Sequence, residues 1–494
     1  MNAYDKLIAH AKKVSRFEHL SAICGWDQAA VMPSGGAQAR SEAMAELHVH
    51  IHSLLTQPEI GEWINESESL ALSEIQKAEI REIRQQWQNA NILPESLVEA
   101  KSLAGAQCEH AWRTQRQSND WNGFAKNWAE VVKLSREEAQ IRAEATGLTP
   151  YDAMMQLYEP GQSSANLDSI FNDVKSWLPD LIDEVIEKQS SEDVSLPNGL
   201  YATEKQKALG LDVMKTLGFN FEHGRLDESI HPFCGGVPSD VRITTRYNPD
   251  EFVQSLMGIV HETGHARYEQ GLPKSLAGTP AGNARSMGIH ESQSLFFEMQ
   301  IGRNPLFIES LADMAKQHFG ADNDPVFATD NFVKLYTRVS KGFIRVDADE
   351  VTYPAHVILR YEIERDLING TIDYQDVPEL WDHKMQAYLG LSTKDNFKNG
   401  CMQDIHWTDG SFGYFPSYSL GAMYAAQFMA KISQSLDVNS LLKNRDLTPI
   451  FEWLHKNIWV HGSLLKTKDL VEQATGQDLN PSFFKAHLQQ RYLS

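Results

Sequence analysis

The sequence predicts a mainly α fold: a large helical chain carrying one small β element. Three observations lead there. Apolar residues recur at three- and four-residue steps through most of the chain, as in AELHVHIHSLLTQPEIGEWI and IFNDVKSWLPDLIDEVIEKQ. One segment, 228–249, breaks that rhythm with Gly235-Gly236, Pro238 and the alternating run Val241-Arg242-Ile243-Thr244. With 494 residues, 42 % of them hydrophobic, the chain can bury a large core and reads as globular rather than disordered.

The elements follow in order. The N-terminal stretch MNAYDKLIAHAKKVSRFEHL mixes charge with an apolar stripe and lacks the continuous apolar run of a signal peptide. His48, His50 and His52 are spaced by two, which does not put them on one helical face, and no carboxylate completes a metal set. Residues 188–203, KQSSEDVSLPNGLYAT, read as a polar connection. Segment 228–249 reads as a β-hairpin or meander that closes at Pro249-Asp250, a helix start. From Asp250 the apolar positions Val253, Leu256, Met257 and Val260 form one stripe, and Gly271 stops the helix. In MGIHESQSLFFEMQIGRNP, Leu295, Phe296 and Met299 form a core stripe that Gly302 and Pro305 end.

Composition narrows the partners. Lys+Arg number 45 against 66 Asp+Glu, for a net charge of −21, a surface that repels phosphate backbones and anionic lipid. Nucleic acid and membranes are therefore not expected partners. The 4 cysteines are far apart with no C-x-x-C pair, which argues against sulfur-ligated metal and against a disulfide-dense scaffold. No stretch approaches the roughly 18 apolar residues of a membrane helix. A soluble cytoplasmic protein is expected.

The chemistry concentrates in HETGH, His261–His265. On a helix these two histidines are i and i+4, about 5–6 Å apart at Cβ on the same face. Two imidazoles so placed can share one tetrahedral Zn²⁺, and Glu262, rotated by about 100° from His261, can reach a metal-bound water without being a ligand. Gly264 in mid-helix, costing about 1 kcal/mol against Ala, points to a close approach there. A catalytic zinc needs a third protein ligand and one open position. HARYEQG offers no further histidine of the metzincin kind. Glu291, on the next helix with Ser294 and Glu298 on the same face, is the choice; Glu298 and His290 are rivals.

HETGH followed by HESQ, with HPF (His231–Phe233), DVRIT (Asp240–Thr244), IRVDAD (Ile344–Asp349) and GCMQDIHW (Gly400–Trp407) in the same order, resembles the thermostable carboxypeptidase Taq family of zinc carboxypeptidases. WDQAAVMPSGGAQAR (Trp26–Arg40) is similar to that family's N-terminal pattern, with AAV a departure after WDQ. The resemblance implies a helical fold with a long substrate groove, like the neurolysin and angiotensin-converting-enzyme group, and a homodimer. One catalytic unit would span 1–494, with 1–227 as a helical half forming one groove wall and 228–494 as the zinc-bearing half. It also implies removal of single residues from peptide C-termini with broad preference. His261, His265 and Glu291 would hold one Zn²⁺ per chain, for which Co²⁺ could substitute, and Glu262 would be the catalytic acid/base.

The expected reaction is hydrolysis by zinc-bound water that Glu262 deprotonates, Glu262 then handing the proton to the leaving amine. His406, Tyr414 and Tyr418, in QDIHWTDGSFGYFPSYSLG, are candidate donors to the oxyanion. The peptide's α-carboxylate calls for an arginine fork; Arg345 is the first choice and an internal ion pair with Asp347 or Asp349 its alternative. Arg242, on a hairpin that could line the peptide by strand addition, is second, and His231 a further groove residue. DADEV is no calcium loop, because Thr352 and Ile358 stand where Gly and Glu are required. A zinc endo-oligopeptidase and a non-catalytic peptide-binding scaffold are the competing functions.

Overall fold

The computed structural model describes residues 1–320 and 323–494. It is 68 % helix and 3 % strand, as the periodicity predicts. The N-terminal helices Ala3–Ala30, Ala37–Leu55, Pro58–Ser67 and Glu74–Asn91 form their own layer. Leu7, Ile60, Ile64, Ile80 and Ile83 make one small core there, and Val14, Ile51 and Leu54 another. A single larger core runs from Cys108 to Tyr492. The connection expected over 188–203 lies between helices ending at Gln189 and starting at Thr203. Among the described residues no helix is long and apolar enough to cross a membrane.

The β element begins upstream of the hairpin or meander expected over 228–249. Strands β1 (Gly224–Glu228), β2 (Cys234–Val237) and β3 (Asp240–Thr245) form one sheet in the order β1-β3-β2. The β2–β3 pair is the expected hairpin, antiparallel with Gly235 opposite Arg242. β1 joins β3 in parallel, Leu226 opposite Ile243. It escapes the sequence reading because GRLDE offers only one apolar residue, Leu226, to bury. The division at 227/228 falls inside this strand.

Alternation along β3 decides what the sheet touches. Val241 and Ile243 are buried in a cluster with Leu226, Ile259 and Ala266, the last two on the helix Val253–Gly271 that carries HETGH. Arg242, between them, stacks 4.5 Å from the ring of Trp26 on the first helix. That contact accounts for the tryptophan of WDQ. Asp27 beside it pairs with Arg40 at 2.8 Å, tying the two ends of the N-terminal motif together.

The HETGH helix starts at Val253, later than the Pro249-Asp250 start expected. Asn248 and Glu251 form a bridge first, and the Glu251 carboxylate accepts from the amides of Val253 and Gln254, capping the helix in place of Asp250. Its expected stripe is inside: Leu256, Met257 and Val260 join the large core.

A second helix, Met287–Leu295, continues as a π-helical segment, Phe296–Gly302. It lies between the HETGH helix and a third helix, Pro416–Ile432. Glycines permit both contacts. A Cβ at Gly264 would lie 2.6 Å from Ser294 Cα, and one at Gly421 would lie 2.7 Å from Glu291 Cγ. Gly258, on the same helix as Gly264, has nothing within 4 Å of such a carbon.

Alanine at these two positions is therefore expected to act in opposite directions. Gly258→Ala should stabilise by roughly 0.5–1 kcal/mol through helix propensity alone. Gly264→Ala should destabilise by roughly 1–3 kcal/mol, because overpacking outweighs the same gain. Urea midpoints at constant m-value measure both; equal shifts would mean that the crossing at Gly264 is looser than described.

Candidate active site

His261 and His265 stand one turn apart on the HETGH helix, ring centroids 5.1 Å apart. With Glu291 they form the metal-capable group among the described residues, one ligand atom from each lying within 4.8 Å of the others. His265 Nε2 is 3.3 Å from Glu291 Oε2. The exposed stretch with His48 and His52 forms no such group, and His48 Nε2 is bonded to Ser21 at 2.9 Å.

The two rivals for the third ligand stand behind the histidines. Glu298 accepts from His261 Nδ1 at 2.8 Å, and Arg303 holds Glu298 at 2.8 Å. His290 meets His265 Nδ1 through its own Nδ1 at 2.6 Å, and its Nε2 donates to Glu269 at 2.8 Å. A neutral imidazole has one N–H, so donation to Glu269 makes His290 Nδ1 an acceptor and His265 Nδ1 the donor. Both Nδ1 atoms of the HETGH pair are thus committed, and both Nε2 lone pairs are left for an ion. Carboxylate and imidazole partners of this kind fix ring orientation in metal sites. Glu269 was open to discovery from its place four residues after His265; Arg303 gave no comparable signal.

Electrostatics separate the members. Burial pushes Glu262 up to about 7. Burial drives His265 down to about 4, and so keeps it neutral. Burial also disfavours charge on His261, but the hydrogen bond to Glu298 and the nearby Glu291 outweigh it and raise that ring to about 10 without an ion. Glu298 is held at about 2, burial being overcome by Arg303 and His261. The donor set of two imidazoles and a carboxylate, their outer atoms engaged, fits a borderline divalent ion with one open position.

A second group meets the first at Glu291. The Tyr414 and Tyr418 rings are 5.3 Å apart, and burial with the Glu291 charge nearby raises both phenols. His406 Nε2 is 3.2 Å from the Tyr418 hydroxyl, and its buried Nδ1 has no partner. Burial lowers this ring to about 4. The loop bearing these residues is pinned by the buried Glu364, which accepts from Tyr151 at 2.7 Å, Trp407 at 3.1 Å and the Gly413 amide at 3.2 Å. Gly413 has φ +94°, where its missing Cβ would lie 2.9 Å from Met155 backbone, so only glycine suits the turn.

Arg345 belongs to this second group. Its Nε donates to Asp404 at 2.9 Å and Nη1 to Tyr353 at 3.0 Å, and the guanidinium sits 4.9 Å from the Tyr418 ring. The ion pair is with Asp404, neither Asp347 nor Asp349. Asp349 instead caps Val351 and Thr352 at 3.0 Å each, and Glu350 binds His487, Arg491 and Tyr492 of the C-terminal helix.

Two expected site residues are not gathered in. Arg242 is held by both oxygens of Asp240, at 3.0 and 2.7 Å, and stacks on Trp26. A carboxylate two residues away on the same strand was within reach all along. His231 is exposed between β1 and β2, where its carbonyl, and not its ring, accepts from Ser229 at 2.6 Å.

Comparison with known proteins identifies the family. Residues 6–492 match the family described as Carboxypeptidase Taq (M32) metallopeptidase. Thermostable carboxypeptidase 1 of Thermus thermophilus is 36 % identical over 503 residues, covering 99 % of this chain and 98 % of that protein. Carboxypeptidase 1 of Bacillus subtilis is 34 % identical, over 97 % of this chain and 96 % of its own. Among solved structures, Trypanosoma cruzi metallocarboxypeptidase 1 has a TM-score of 0.98 at 46 % identity, covering 100 % of this chain and 99 % of its own. The match runs along nearly the full length of the family model and of these relatives, and the chain belongs to the carboxypeptidase Taq (M32) family of metallopeptidases, peptide-bond hydrolases that act as carboxypeptidases.

Proposed function

We propose that the chain is a zinc-dependent carboxypeptidase that removes single C-terminal residues from peptides with broad side-chain preference. The observation that carries this reading is the pair of committed Nδ1 atoms, which leaves His261 Nε2, His265 Nε2 and Glu291 as ligands with Glu262 beside them. Zn²⁺, or Co²⁺ in its place, supplies a Lewis acid that acidifies water and polarises the carbonyl.

The remaining work falls to the chain. Glu262, buried and raised to about 7, takes a proton from the attacking water and delivers it to the departing nitrogen. Tyr418 and Tyr414 donate to the oxygen that gains charge. His406 is neutral, and its Nε2, 3.2 Å from the Tyr418 hydroxyl, holds that phenol beside Tyr414. Arg345 receives the terminal carboxylate. Strand β2, paired only on its β3 side, offers its open edge to the peptide backbone.

Three measurements test the proposal. One peptide, offered as free acid and as amide, should give a one-residue ladder by mass spectrometry from the acid alone, and none after chelation. Internal cuts in both forms would make the enzyme an endo-oligopeptidase. Glu262→Gln should retain bound zinc and lose at least about 10²-fold in kcat, the scale of general acid–base catalysis; loss of the metal would reassign Glu262 to a structural role. Arg345→Ala should lower kcat/KM for free-acid peptides by roughly 10²-fold or more while zinc stays bound, a buried charged hydrogen bond being at stake. An unchanged kcat/KM would pass the anchor role to another group.

A further inference from the structure

The carboxylate anchor has a hydroxyl that is not yet used. Asp404 accepts from Arg345 Nε at 2.9 Å through one oxygen and from Arg360 Nε at 2.6 Å through the other. Arg345 is 6 % exposed and Arg360 0 %, and Arg360 Nη2 is buried without a partner. Among the described residues Asp404 is the one carboxylate bonded to these two buried guanidiniums, and the other buried acid near Arg360, Glu364, is pushed up to about 8 by burial, so the cluster is short of negative charge, a condition that burial makes costly.

A side-chain hydroxyl bonded to that cluster belongs to Tyr353, at the start of the helix Tyr353–Ile368. Arg345 Nη1 donates to its hydroxyl at 3.0 Å. A guanidinium only donates, so the phenol oxygen is the acceptor and the phenol's own proton needs an acceptor elsewhere. Among the described residues none takes it. Burial raises this phenol above its ordinary range, so it keeps the proton. The Tyr353 ring stands edge-on to Tyr418, centroids 6.1 Å apart at 89°, and the hydroxyl feels the charge of Glu291. An unshared O–H thus lies beside Arg345 and within range of the charge of Glu291, a member of the metal-capable triad.

Resting on the carboxypeptidase reading, we infer that Tyr353 is a specificity-determining residue: its hydroxyl donates to one oxygen of the substrate's terminal carboxylate while Arg345 binds the other. Asp404 and Arg360 hold that guanidinium in place. The carboxylate brings the charge the arginine cluster lacks and an acceptor for each donor. An amidated terminus brings no charge and turns an NH₂ towards one of the two donors.

The test is competitive inhibition of the full-length zinc enzyme by a non-cleavable reduced-amide peptide, as free acid and as its C-terminal amide. Tyr353→Phe keeps the ring that faces Arg345 and Tyr418, and bound zinc is measured in parallel. Ki for the acid should rise roughly 10- to 100-fold, the range for a hydrogen bond to a charged group, with zinc content and Ki for the amide unchanged. A Ki for the acid that does not move, or one that rises together with that of the amide, overturns the assignment. Arg345→Ala in the same assay separates the two levels: if it keeps the preference for acid over amide, the anchor reading itself fails, whatever Tyr353→Phe shows.

Discussion

How closely three helices approach one another governs the rest of the site. Packed helices usually sit 8–10 Å apart, and the side chains at the crossing set the distance. Here glycine occupies the crossings. Gly264 lets the HETGH helix rest on Ser294, Gly421 lets the helix Pro416–Ile432 rest on Glu291, and a Cβ at Gly302 would stand 3.1 Å from Met257 and Val260. A glutamate is short, and Glu291 reaches the histidines only because its helix is pressed against theirs. Backbone packing, which is rigid, has replaced side-chain length, which is not.

Proximity leaves the orientation of the rings undecided, and a separate network settles it. His261 is turned by Glu298, Glu298 is held by Arg303, and Arg303 is fixed by the Tyr336 carbonyl at 2.6 Å. His265 is turned by His290, and His290 by Glu269. Glu298 lies in the π-helical stretch, a departure from α geometry that recurs at functional sites. The C-terminal helix joins the support, since Arg491 donates to the Met299 carbonyl in the same stretch and to Glu350 at 3.0 Å. Residues nearly two hundred positions apart thus converge behind two imidazoles, and Glu298, Arg303, Glu350 and Arg491 each find a partner there, as burial demands.

Local pattern carried much of this, and its limits are physical. The HETGH pair was legible because a helix fixes i and i+4 on one face, and Gly264 because a mid-helix glycine in an apolar stripe has a cost that something must offset. The hairpin β2–β3 announced itself by alternation and glycines. β1 did not, because its parallel partner lies beyond another strand and its five residues bury only Leu226. Glu291, Glu298 and His290 were all visible as candidates, but spacing on one helix cannot say which side chain points between two others; tertiary packing alone sorts ligand from support. Asp404 and Tyr353 reach Arg345 from different parts of the chain, and Arg360, on the same helix as Tyr353, meets it only through Asp404, so no spacing in the sequence announces the group.

The same reasoning separates two arginines, Arg242 of DVRIT and Arg345 of IRVDAD. Arg242 has a carboxylate two residues away on its own strand, bonded at both oxygens, and an indole to lie on. Its charge is matched and its donors are engaged, so a substrate would have to displace Asp240 to bind there. Among the described residues Arg345 shares its one bonded carboxylate with Arg360, and its other side-chain neighbours, Tyr353, Tyr418 and Phe415, carry no charge. A carboxylate arriving from solvent breaks nothing at Arg345 and supplies what the buried cluster lacks. Both are arginines set in short motifs; the unmatched charge is what separates Arg345 from Arg242 and supports the anchor role proposed for it.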